Sequence, residues 1–356
     1  MRLVKTDAAL RAVSAYTSKA TVLFLVSTYI LSMLMGLFLM LLSSGSDSFS
    51  KKSVESLPIG LLAIFVIRVP LATTFGAVFT LLWIIYAICF ILAWTINGGL
   101  VKALQGKTLR RPTSPTGNLL FAFPALSSSL LILVVLVQSF QEAVGLPTGE
   151  IKITPIYREL FELAYSPIFE EVMYRISPYA VYAVARLGLI FATKRTQDPS
   201  FYLKSIFLSV LFPDRAKEGL GLPSIRLNGI RRAVNSGEWI LMILTSMIFG
   251  LAHYLSGSGW EMGKVTSSFL AGLAFFLAYL AFGFHAPILL HWFFNYYFAV
   301  YEIATKVYQG LFESLETAIS MVVQIVGLAV ILVYVIYLLR KIRDKFSQQQ
   351  IETSIE

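Results

Sequence analysis

Apolar runs long enough to cross a hydrocarbon core recur from one end of this chain to the other, and they restrict what it can fold into. A lipid core about 30 Å thick takes about 20 residues of helix. Inside it every backbone N–H and C=O must be paired within the protein. The runs fall at residues 21–43, 74–96, 119–138, 166–192, 239–255, 265–283, 287–305 and 318–339. They predict an all-α polytopic membrane protein with about eight transmembrane helices. A further apolar piece, residues 58–67, is too short to cross and is cut from the next run by Arg68 and Pro70. It reads as re-entrant or interfacial. Composition agrees: 57% of the 356 residues are hydrophobic, only 14% are charged, and mean hydropathy is +0.74.

A formal charge of +9 in a soluble domain would point to nucleic acid. Here the basic residues gather at span ends, where they face anionic lipid and fix orientation. With the N-terminus inside, the inner segments hold Arg2, Lys5, Arg11 and Lys19, then Lys102, Lys107, Arg110 and Arg111. They also hold eight more from Lys194 to Arg232, and finally Arg340, Lys341, Arg343 and Lys345, twenty in all. Apart from Arg68 beside the short apolar piece, the outer segments hold six: Lys51, Lys52, Lys152, Arg158, Lys264 and Lys306. Both termini are therefore expected in the cytoplasm. Residues 1–19 carry no small-residue cleavage site, and the run after them is too long for a signal peptide core, so the first span is expected to stay. The loop 193–236 is the main excursion from the membrane. It carries an apolar patch at 201–212 that predicts a short interfacial helix, followed by a basic, Gly- and Pro-rich stretch expected to meet lipid headgroups. The last twelve residues read as a polar, frayed tail. Cys89 is the single cysteine, so disulfides play no part.

Three charges interrupt the fourth run at Glu170, Glu171 and Arg175. Each costs roughly 2.5–3.5 kcal/mol at the bilayer centre on insertion scales, so they call for a function. On a helix Glu171 and Arg175 are i, i+4 and share a face, which predicts a pair and leaves Glu170 without one. Two further motifs lie in later runs. Phe249 and His253 are one turn apart, as are His291 and Asn295. A single buried histidine is more often structural than catalytic. Two of them, with an orphan carboxylate and an amide, point to a site. A carboxylate among apolar side chains is a stronger base than one in water, so Glu170 suits proton abstraction from a water shared with an imidazole. His and Asn side chains suit the oxyanion that follows attack on an amide. All five aspartates lie outside the runs, no His-Glu-x-x-His helix is present, and Ser258 in a Gly-Ser-Gly turn has no base at a defined spacing.

Glu170-Glu171-x-x-x-Arg175, Phe249-x-x-x-His253 and His291-x-x-x-Asn295, in that order on successive runs, resemble the CAAX protease and bacteriocin-processing (CPBP, or Abi) family. The nearest character is the Ras-converting CAAX prenyl endopeptidase, which eight spans also match. The resemblance covers residues 166–295 and implies an intramembrane endopeptidase with its active site inside the helix bundle. It implies that Glu170 activates water together with His253, and that His291 and Asn295 line an oxyanion hole. Glu171, Arg175 and Phe249 would support them. The substrate would be a membrane-anchored peptide cut near its C-terminus, of which prenylated CAAX tails are the family's best-known kind. No cofactor is expected; zinc at Glu170, His253 and His291 is the weaker alternative, since Arg175 beside them opposes a cation. The chain then divides into N-terminal transmembrane helices (1–154), a catalytic core (155–305) with the cytoplasmic insertion 193–236, and a C-terminal transmembrane helix with a basic tail (306–356). Two other readings stand beside the enzyme: a proton-coupled transporter, which the lack of internal repeats disfavours, and a non-catalytic immunity or scaffold member of the same fold.

Overall fold

The computed structural model describes residues 2–43, 45–105, 117–151, 155–194 and 199–353. Of the basic residues used above for orientation, Lys107, Arg110, Arg111, Lys152 and Arg195 lie outside them. The chain is an all-α polytopic membrane protein. Its long elements are α1 (Arg2–Leu42), α2 (Phe75–Thr95), α3 (Leu119–Ala143), α4 (Ile156–Glu171) and α5 (Ser177–Lys194). After two shorter helices, α6 (Pro199–Leu211) and α7 (Pro213–Gly219), come α8 (Ser236–Leu255), α9 (Met262–Phe282), α10 (His285–Trp292), α11 (Phe298–Val307) and α12 (Glu313–Thr353). One turn of π-helix, Val172–Ile176, joins α4 to α5, and another, Phe293–Tyr297, joins α10 to α11.

Among the described residues, six helices are long and apolar enough to cross a membrane by themselves. The expected spans at 166–192 and 287–305 are not among them, because each is carried by two helices broken by a π turn. Contacts at the two ends of the bundle place Phe284 and Tyr308, which flank the 287–305 run, at opposite ends. At one end, Tyr157 Oη lies 2.9 Å from Ser43 Oγ, Gly149 bridges Trp260, and the Tyr308 ring meets Phe38. At the other, Asn118 Nδ2 donates to the carbonyls of Ala93, Trp94 and Ile96, Arg215 donates to Asn97, and the Phe284 N–H donates to the Leu211 carbonyl.

The core sits between α1, α2, α3 and the α10–α11 run, and it is aromatic. Tyr29 stands edge-on to Phe123, Phe293 and Tyr297, with centroids 5.4, 6.1 and 4.9 Å away. Buried hydroxyls need partners in an apolar interior. Tyr297 meets Thr28 Oγ1 at 2.6 Å, Tyr301 donates to the Thr28 carbonyl at 2.6 Å, and Tyr86 donates to the Ala164 carbonyl at 2.7 Å. These bonds fasten α1 and α2 to the helices that carry the motifs. Outside the bundle, Met321, Ile325, Leu328, Leu332 and Val333 of α12 are exposed apolar side chains, as a lipid-facing surface requires.

The apolar piece at 58–67, expected as re-entrant or interfacial, is extended. It belongs to an antiparallel hairpin, β1 (Ser53–Leu61) and β2 (Phe65–Thr74). Pro58 and Pro70 fall at positions whose N–H would point away from the partner strand, so neither interrupts the ladder. The turn puts Leu62 and Ala63 at φ +54° and +65°, a region that L side chains resist. It is held from outside: the Ala63 N–H donates to the Met173 carbonyl at 2.9 Å and the Leu62 N–H to Ser177 Oγ at 2.8 Å.

The short helix predicted at 201–212 is present as α6. The stretch after it spends much of its charge internally rather than on headgroups. The Asp214 carboxylate accepts from the N–H groups of Ile225 and Arg226, and Glu218 pairs with Arg226. Lys217 is buried 2.7 Å from Glu238 and donates to the Ala233 carbonyl. Burial pushes the Lys217 ammonium down, against the pull of Glu238. The expected frayed tail is helical as far as Thr353, because α12 simply continues.

Candidate active site

α4 begins at Ile156, ten residues before the apolar run itself, so Glu170 and Glu171 lie deep in a helix that continues through the π turn into α5. Pro167 removes one N–H from the ladder just before them, and the π turn widens the helix just after. The helix backbone is therefore irregular on both sides of the paired carboxylates.

Glu171 is fully buried and takes part in two charge-assisted bonds through one oxygen. Arg175 Nη1 donates to Oε1 at 3.0 Å, and Nδ1 of His291 lies 2.7 Å from the same atom. The expected i, i+4 pair is thus present, and a histidine 120 residues away shares it. Arg175 is also fully buried. Its guanidinium lies over the rings of Phe249, Phe275 and Tyr174, at 4.1, 5.5 and 5.9 Å. Gly272 of α9 makes room for it: a Cβ there would lie 2.9 Å from Nη2.

With Nδ1 of His291 engaged by Glu171, Nε2 faces the other carboxylate, 3.5 Å from Glu170 Oε2. That oxygen is buried and accepts no hydrogen bond. His253, near the end of α8, has Nδ1 2.8 Å from the Phe249 carbonyl, which fixes the hydrogen on Nδ1 and leaves the Nε2 lone pair available. The Phe249 ring stands edge-on to both imidazoles, 4.7 Å from His253 and 5.8 Å from His291. Asn295 lies in the second π turn and donates through Nδ2 to Ser166 Oγ at 3.0 Å.

Glu170, His253 and Asn295 line one cavity of about 470 Å³. His253 and Asn295 also line a smaller one of about 50 Å³, together with Phe249 and His291. All seven sequence-predicted residues therefore fall in one region, Glu171 and Arg175 behind the cavity wall. Several neighbours escaped the sequence reading: Ser166, Glu159, Glu162, Tyr174, Trp260 and Lys264 also line the larger cavity, and Phe275 the smaller. In the sequence Lys264 counts only as an outer-segment charge. Its place eleven residues after His253, at the start of the next helix, was the available signal. Ser258 hydrogen-bonds to Ser256 at 2.6 Å, and both stand exposed at the cavity mouth. His285 is fully buried against Phe212 and Phe284, away from the site.

Among the described residues, no three His, Cys, Asp or Glu side chains are grouped closely enough to hold a metal ion. Nδ1 of His291 is engaged by Glu171, so of the zinc alternative's donors His291 could offer only Nε2, which faces Glu170.

Residues 153–297 match the family model described as type II CAAX prenyl endopeptidase Rce1-like. No curated protein matches the chain, and no solved structure does. The matched segment contains every motif residue placed above and runs from just before α4 to the end of the second π turn. Over residues 153–297, the stretch that carries the three motifs, the chain is similar to the Rce1-like family of type II CAAX prenyl endopeptidases.

Proposed function

We propose that this chain is a CAAX-type intramembrane endopeptidase that hydrolyses a peptide bond near the C-terminus of a prenylated, membrane-associated substrate, using water and no metal. One observation carries the reading: a glutamate oxygen with no hydrogen bond, an imidazole with its Nε2 lone pair available and an amide line a single buried cavity. A water held between Glu170 and His253 Nε2 gives its proton to Glu170 as its oxygen bonds to the substrate carbonyl carbon. The carbonyl π pair moves onto oxygen, and the resulting oxyanion accepts from Asn295 Nδ2 and from Nε2–H of His291, which acts as an imidazolium with its Nδ1–H held on Glu171. The C–N bond then breaks, and the proton on Glu170 passes to the leaving amine.

Glu171 and Arg175 act through His291. The carboxylate accepts from Nδ1–H and so turns Nε2 toward the reacting atoms, while Arg175 balances its charge. Phe249 orients His253 through its carbonyl and seals the guanidinium with its ring. The test is to incubate the purified, detergent-solubilised protein with a farnesylated CAAX peptide, with and without exhaustive chelation, and to weigh the products. Release of the C-terminal tripeptide at the same rate in both samples is expected. Loss of cleavage on chelation, restored by zinc, would overturn the metal-free mechanism.

A further inference from the structure

The mechanism above leaves one charged group of the cavity unused. Lys264, on the first turn of α9, lines the large cavity with Glu170 and His253, and the small one with His291 and Asn295. Its ammonium sits 3.9 Å from the centroid of the Trp260 indole. Trp260 is itself fixed by the backbone bridge to Gly149 and by the Glu150 N–H, which donates to the Gly259 carbonyl at 3.2 Å. Among the described residues no carboxylate lies within ion-pair distance of Lys264, although Glu159, Glu162 and Glu170 line the same cavity. An ammonium held on an aromatic face, with three donors and no anionic acceptor, is prepared for an anion from outside the protein.

The cavity's other charged groups are acidic, so an anionic ligand is tolerated only beside Lys264. A peptide cut near its C-terminus brings one such anion, its terminal carboxylate. In a C-a-a-X tail three residues follow the prenylated cysteine. Extended, they place that carboxylate about 10 Å from the bond to be cut. A cavity of about 470 Å³ lies within the range of roughly 300–1,000 Å³ typical of small-ligand sites.

We propose that Lys264 binds the C-terminal carboxylate of the substrate, and so sets the distance from the chain end to the bond that is cut. The proposal rests on the endopeptidase reading and adds a specificity determinant to it. The test compares two farnesylated CAAX peptides, identical except that one ends in a carboxylate and the other in a carboxamide. Each is assayed with full-length wild type, Lys264→Met and Lys264→Arg in detergent.

Wild type is expected to show a lower KM for the acid than for the amide. Lys264→Met should raise KM for the acid roughly tenfold, the scale of one charge-assisted hydrogen bond, with kcat little changed. It should leave the amide peptide's constants within about twofold of wild type on the same scale, which also serves as the check that the variant is folded. Lys264→Arg should restore most of the preference. Equal losses on both peptides would overturn the proposal and assign Lys264 a general electrostatic role, with the endopeptidase reading intact. Equal KM for both peptides in wild type would overturn it as well. Cleavage of neither peptide by wild type would remove the endopeptidase reading and this inference with it.

Discussion

Arg175 carries a full charge with no exposure to solvent, and Glu171 is what makes that tolerable. Two of its nitrogens, Nε and Nη2, find no hydrogen bond and rest on aromatic rings instead. Breaking a buried pair from one side is costly because the remaining charge is stranded. Arg175→Met is therefore expected to lower stability by about 3–5 kcal/mol, read as a lower melting temperature in detergent. A melting curve unchanged from wild type would show that the pair does not hold the helices. This pair was legible in the sequence because i, i+4 spacing is a local rule. The bond from His291 to Glu171 was not, since 120 residues separate them and only the folded bundle brings the two together. The role expected of His291 consequently needed a partner that spacing alone does not supply.

At the scale of elements, hydropathy located the crossings but not their irregularities. Regular helix spacing places His291 and Asn295 one turn apart. The structure instead inserts a π turn at 293–297, and another at 172–176 directly after the paired glutamates. π turns are frequent at functional sites because the extra residue re-aims side chains. Both of these adjoin motif residues, and no residue type announces them. The hairpin was hidden for a different reason. Its three-residue turn, Leu62-Ala63-Ile64, has positive φ at Leu62 and Ala63 with no glycine or asparagine to signal it, and bonds to Met173 and Ser177 hold the conformation. The meeting of Glu170, His253 and His291 at one depth also depended on an element boundary. An apolar run starting near residue 166 leaves Glu170 close to a helix end, whereas α4 starts at Ile156 and carries it inward.

Taken as a whole, the molecule presents its cavity mouth at the end of the bundle where Ser256, Ser258 and Trp260 meet the segment around Gly149. We propose, from the charge asymmetry, that both termini are cytoplasmic, which puts that mouth on the opposite face. Ser258→Cys is then expected to react with a membrane-impermeant maleimide in intact cells, while Lys341→Cys reacts only after permeabilisation. The native Cys89 is buried and serves as a silent background. The reverse labelling pattern would invert the orientation without touching the site chemistry. The basic residues that carry this prediction are spread along the chain, so it rests on the sequence alone.

In the proposed mechanism Glu170 is the base in water attack on a peptide bond. The most direct measurement is hydrolysis of a farnesylated CAAX peptide by wild type and Glu170→Gln, purified side by side and matched for melting temperature. A similar-sized amide that cannot take the proton should lower kcat by at least about 10²-fold, the low end for a general base, with the protein still folded. Equal turnover by the two proteins would contradict the account.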